Sequence, residues 1–146
     1  MLTPVFTVAP GASGCMAVAS VGDTASAELE VTRDDVERFA ALTGDDNPLH
    51  VDPDYASDGV FGEPVAHGML TASALSAALA DLPGDVVYVS QDLAFTRPVM
   101  PGETLTAEVE VVEELPDDRL RVRTMASGDE GRAIEGEAVV MSLAHG

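Results

Sequence analysis

Residues 25–31, ASAELEV, alternate small or apolar with polar side chains, the two-residue period of a strand with one buried face. The period then changes. Val36, Phe39, Ala40 and Leu42 recur at helical spacing behind Thr32, an N-cap residue with Asp35 three positions on, and Gly44 offers the stop. Pro48 bars the helix from continuing, so residues 43–52, TGDDNPLHVD, form an ordered turn or loop. Asp52 followed by Pro53 reads as the N-cap and first-turn proline of a short second helix, PDYASD, with the loop GVFGEPVAHG after it. The longest helix runs from Gly68 to Leu82. Met69, Leu70, Ala72, Leu75, Ala78, Leu79 and Leu82 lie among small residues with no charge before Asp81, and a helix apolar or small on nearly every face is a buried one. Pro83 and Gly84 end it. Four strand-like runs follow, Val86 to Thr96, Glu103 to Glu114, Arg119 to Ser127 and Ala133 to Leu143, separated by the turn-forming RPVMPG, LPDD and GDEG. One buried helix followed by an antiparallel meander predicts an α+β fold whose sheet wraps the helix.

The 146 residues suit one domain with one core. Residues 1–20, rich in Gly, Pro and Ala with room for a short strand at 16–20, read as a loose extension, and residues 21–146 as the domain. Charge sharpens the picture. There are 26 acidic residues against seven arginines, with no lysine, a field that repels nucleic acid phosphates and anionic membranes. Such an excess fits the solvated surface of a protein from a salt-adapted cytoplasm, where ionic strength screens self-repulsion. The single cysteine, Cys15, excludes an intrachain disulfide and a four-cysteine zinc finger. The first 22 residues carry no charge but also no basic start, and Pro4, Pro10, Gly11 and Gly14 interrupt any apolar core, so no secretion signal is expected. The uncharged stretch from Pro64 to Ala80 holds a histidine and several hydroxyls, which argues against a membrane span.

Candidate chemistry concentrates in the decapeptide. Asp45 and His50 lie five positions apart across a proline-containing turn, close enough to converge on one water molecule, where a carboxylate and an imidazole can perform general acid–base catalysis. Asp46 reads as solvent-facing and Asp52 as a helix cap. Asn47 orders the turn or makes a polar, substrate-binding contact to the reacting centre. In AHGML, Gly68 falls at the N-terminus of the buried helix, where backbone N–H groups lack intrahelical acceptors and can hold an oxyanion. His67 competes with His50 and, with Asp45, His50 and Asp52, could compose a metal donor set. No recognised zinc spacing supports this, so no metal is expected and His67 is read as shaping the turn before Gly68. A base, an acid and an oxyanion hole beside an apolar helix suit addition or removal of water next to a thioester carbonyl.

FAALTGDDNPLHVDPDYA, FGEPVAHGML and LAFTRPVMPGETL together resemble the R-specific enoyl-CoA hydratases of the MaoC-like dehydratase family, over about residues 21 to 143. The resemblance implies a hotdog fold, a long helix wrapped by an antiparallel sheet. It implies a homodimer and an acyl-CoA thioester substrate, coenzyme A being part of the substrate rather than a separate cofactor. Its catalytic aspartate falls on Asp45, its histidine on His50 and its oxyanion amide on Gly68. Ser76 matches a serine that assists in some of these hydratases, with Ser73 and Thr71 as nearby alternatives. Arg97 can contact a coenzyme A phosphate or form a surface ion pair. Arg119, Arg121 and Arg123 alternate along one strand opposite Glu108 and Glu110, where cross-strand charge pairing accounts for them.

The expected protein is a soluble, cytoplasmic, dimeric enzyme that reversibly hydrates trans-2-enoyl-CoA to (R)-3-hydroxyacyl-CoA for polyhydroxyalkanoate or fatty-acid metabolism. The alternatives are a hotdog acyl-CoA thioesterase and a non-catalytic acyl-CoA-binding or partner subunit.

Overall fold

The computed structural model describes residues 17–146, so Cys15 and most of the expected extension lie outside the described residues. In chain order the elements are β1 (Thr24–Glu30), α1 (Arg33–Thr43), α2 (Pro48–Val51), α3 (Pro53–Ser57), α4 (Gly68–Ala80), β2 (Asp85–Gln91), β3 (Ala94–Phe95), β4 (Thr104–Leu115), β5 (Arg119–Gly128) and β6 (Gly131–Leu143). Residues 17–20 form no strand, yet they are tied in. Ala19 is buried, and the Val18 and Ala19 amides donate to the Ser142 carbonyl (3.1 Å) and hydroxyl (2.9 Å).

All strands join one antiparallel sheet in the order β1-β4-β5-β6-β2, with β3 also pairing with β6. Alternation makes one face of this sheet apolar. Leu105, Ala107, Val109 and Val111 on β4, with Leu120, Val122 and Ala126 on β5, are buried, while their sequence neighbours face out. That face curls around α4, which packs against β1, β2, β4 and β5. Leu75 and Leu79 of α4 are buried in the same core, each contributing about 2 kcal/mol by transfer out of water. This is the arrangement expected of a hotdog fold, but α4 is not buried on every side: Leu70, Thr71, Ala74, Leu75, Ala78 and Leu79 face the sheet, while Met69, Ser73, Ser76, Ala77 and Ala80 are exposed along the opposite face.

Several local expectations are corrected. The run from Val86 to Thr96 is two strands. At Asp92 the chain leaves the ladder, its amide donating to the Glu137 carbonyl (3.0 Å) while its carboxylate accepts the Glu137 amide (2.9 Å). Gly136 makes room for this, since a Cβ there would lie 2.0 Å from the Asp92 carbonyl oxygen. The long helix ends at Ala80, where the Asp81 amide closes the last turn, although Leu82 is still buried. Leu42 is 84% exposed, so the inward side of α1 is Val36 and Ala40 with Phe39 half-buried. Pro48 opens a one-turn helix, α2, where a turn or loop was expected, because proline is favoured at the first helical position.

Six of the seven arginines sit in ion pairs. Arg123 pairs with Glu110 across the β4–β5 ladder (3.3 Å), and Arg121 with Glu113 (2.9 Å) and Glu137 (3.5 Å). Glu108 instead stands opposite Met125. Among the described residues, no helix is long and apolar enough to cross a membrane.

Candidate active site

Two segments build the site, the end of α1 leading into α2 and the N-terminus of α4. Gly44 takes a left-handed conformation (φ 82°) and its amide closes α1 onto the Ala40 carbonyl at 2.9 Å. The chain therefore turns sharply just before Asp45. The Asp45 amide donates to the Thr43 hydroxyl (3.2 Å), which itself donates to the Phe39 carbonyl (2.7 Å). Asn47 caps α2, its Oδ1 accepting the Leu49 amide at 3.1 Å, and α2 carries His50. Asp52 likewise caps α3, accepting from the amides of Asp54 and Tyr55.

Asp45, His50 and His67 converge: one donor atom from each lies within 4.8 Å of the others. Asp46 and Asp52 are absent from this cluster. A carbonyl only accepts, so the contact from His50 Nδ1 to the Val65 carbonyl (2.6 Å) places the proton on Nδ1 and leaves Nε2 for the site. By the same reasoning His67 Nε2–H donates to the Asp45 backbone carbonyl (2.8 Å). The two imidazoles stack with centroids 4.0 Å apart and planes 26° from parallel.

Gly68 opens α4 behind His67, and its amide makes no hydrogen bond among the described residues. Gly68 is exposed at the positive end of a 13-residue helix that is buried along one face, the setting for stabilising a developing oxyanion. Gly68 also has a steric reason to be glycine. A Cβ there would come within 3.0 Å of the Phe95 ring, which is 49% exposed and walls this side of the site. Beginning at Met69, a groove of about 370 Å³ runs between α4 and β2, bounded by Ser73, Ser76, Tyr88 and Leu93. Thr71 and Ser73 donate to helix carbonyls (Gly68, 2.6 Å; Leu70, 2.5 Å), whereas Ser76 is exposed and makes no side-chain hydrogen bond among the described residues. Burial pushes the Tyr88 phenol above its usual pKa, and its hydroxyl donates to Gln91 (3.1 Å).

Arg97 stands apart from this cluster. Its guanidinium pairs with Glu103 at 2.5 and 3.2 Å and also donates to the carbonyls of Gly131 and Pro98. With only 16% of the Arg97 side chain and 14% of the Glu103 side chain exposed, the pair is the ionic alternative foreseen for this residue, and all three nitrogens are occupied within the protein. The hydrogen bonds it donates to the Glu103 carboxylate hold the guanidinium pKa above its usual value. The Val65 carbonyl, the His67–Asp45 contact and Phe95 escaped sequence reasoning. Only the aromatic at Phe95 left a trace, as an apolar position just ahead of RPVMPG.

Residues 18–130 match the family described as the MaoC like domain. The chain is 42% identical over 128 residues to the (R)-specific enoyl-CoA hydratase of Rhodospirillum rubrum, covering 86% of this chain and 89% of that protein. It is also 42% identical to the (R)-specific enoyl-CoA hydratase of Aeromonas caviae, covering 82% and 92%. The unliganded R-hydratase PhaJ1 from Pseudomonas aeruginosa superposes with a TM-score of 0.80 at 38% identity, covering 88% of each chain. The (R)-hydratase from A. caviae involved in PHA biosynthesis gives a TM-score of 0.79, also at 38% identity, covering 84% and 96%. With its sheet wrapped around one helix and this site at the helix N-terminus, the chain belongs to the MaoC-like dehydratase family and has its hotdog fold.

Proposed function

We propose that this protein is an (R)-specific enoyl-CoA hydratase, adding water reversibly to trans-2-enoyl-CoA to give (R)-3-hydroxyacyl-CoA. The observation that carries this reading is the convergence of Asp45 and His50 on His67, the residue directly before the unpaired Gly68 amide. Water lies between the Asp45 carboxylate and His50 Nε2. Asp45 takes a proton as the hydroxyl adds to the β carbon, and the charge that moves onto the thioester oxygen is held by the Gly68 N–H. Protonated Nε2 gives its proton to the α carbon, and the proton on Asp45 then returns to Nε2, so both groups regain their starting states.

The acyl chain lies in the groove from Met69 past Ser73 to Ser76, with Ser76 its polar contact. Asn47 acts through the α2 cap, and Arg97 acts structurally through Glu103. Acid, base, oxyanion hole and thioester supply what the reaction needs, with coenzyme A entering as part of the substrate and no resident metal or cofactor. The enzyme works in the cytoplasm as a homodimer and feeds polyhydroxyalkanoate synthesis or fatty-acid metabolism.

Purified protein with crotonyl-CoA in high salt tests the reading. Loss of the conjugated thioester without release of thiol is expected. Thiol release instead identifies a thioesterase, and no turnover identifies a binding subunit. Asp45→Asn and His50→Gln should each lower kcat by about 100-fold or more with circular dichroism unchanged. If Asp46→Asn loses activity and Asp45→Asn does not, the base has been assigned to the wrong carboxylate.

A further inference from the structure

Resting on the hydration reading above, we propose that His67 is a positioning residue that fixes Asp45 and His50 relative to each other and to the Gly68 amide. Three contacts converge on its ring. Nε2–H donates to the Asp45 carbonyl, one face stacks on His50, and the ring meets Phe39 at 4.8 Å and 57°. The segment it holds has few other restraints. Asp45 is exposed and outside any helix, and the His67 contact is the one hydrogen bond to its carbonyl among the described residues. The His50 ring is fixed at one edge by Val65 and on one face by His67.

His67 is also unusual where it sits. It occupies the N-cap position of α4, where a side chain ordinarily turns back to accept a first-turn amide, yet it makes no such bond. Its ring reaches across to the decapeptide instead, which leaves the helix amides open for an oxyanion and links them rigidly to the base. Only 2% of His67 is exposed, and Nδ1 is buried without a partner. A buried polar atom left unpaired is seldom retained without a compensating role, and the contact made by the opposite nitrogen supplies one here.

Two substitutions separate donor from ring. His67→Phe keeps an aromatic ring against His50 and removes the donor, while His67→Gln keeps a donor in reach of the Asp45 carbonyl and removes the ring. Crotonyl-CoA hydration is measured for both, with melting temperature alongside. The expected result for His67→Phe is a fall in kcat of about 100-fold with KM within about threefold, since small misplacement of reacting groups costs this much. His67→Gln should recover to within about tenfold of the parent. In an Asp45→Asn background, His67→Phe should cause no further loss, because it acts through that residue.

Parental kcat in His67→Phe overturns the proposal. So does an equal fractional loss in the Asp45→Asn background, or a rise in KM that accounts for the whole effect. If Asp45→Asn and His50→Gln themselves leave hydration intact, it is the hydration reading that fails.

Discussion

At the scale of single residues, the proposed site leaves a few groups unsatisfied. Donor atoms of Asp45, His50 and His67 lie within 4.8 Å of one another next to the start of α4, where the Gly68 amide is unpaired among the described residues, while His50 Nδ1 and His67 Nε2 are bonded to carbonyls. Gly68 has little room for a side chain. In Gly68→Ala the new methyl meets the Phe95 ring at 3.0 to 3.3 Å, so the half-exposed ring must move and the approach to the amide narrows. Steady-state kinetics should show kcat/KM lower by about tenfold or more, with thermal stability nearly unchanged because alanine is the better helix residue. Adding Phe95→Leu should restore part of the loss. The meeting of Asp45 with His50 and the place of Gly68 at the start of α4 were legible because their residue types and spacing are unusual for a solvated loop. The His67–Asp45 contact was not, because it spans 22 positions and depends on α4 meeting the end of α1.

At the scale of elements, two short helices with similar caps serve different ends. Asn47 caps α2, which carries His50, while Asp52 caps α3, which carries no reacting group. Replacing either by alanine should cost about 1 kcal/mol, measured by denaturant unfolding. Only Asn47→Ala should also lower kcat, by about tenfold, since α2 then holds His50 less firmly. The α+β architecture and the bounds of α1 and α4 were readable within two residues because their periodicity and caps agree. The break between β2 and β3 was not readable. Residues 86–96 look continuously strand-like, and the interruption comes from Gly136, on a strand some forty positions later, which admits the Asp92 backbone. That break releases Phe95 to lie on Gly68.

At the scale of the whole molecule, the excess of carboxylates governs the solution in which the fold persists. A net charge of −19 on one small domain repels itself, and at 0.15 M salt the Debye length is still about 8 Å. The melting temperature should therefore rise as sodium chloride is raised from 0.1 to about 2 M, and a flat or falling curve would show that self-repulsion is not what limits this fold. The pairing of the arginines has a further consequence, for the encounter with substrate. Six of the seven cations are already neutralised by carboxylates on the same chain, so little positive field is left over to draw a polyanionic thioester in from solution. Capture then begins against a barrier rather than down a slope, and it should quicken as salt flattens that barrier, the reverse of electrostatic steering.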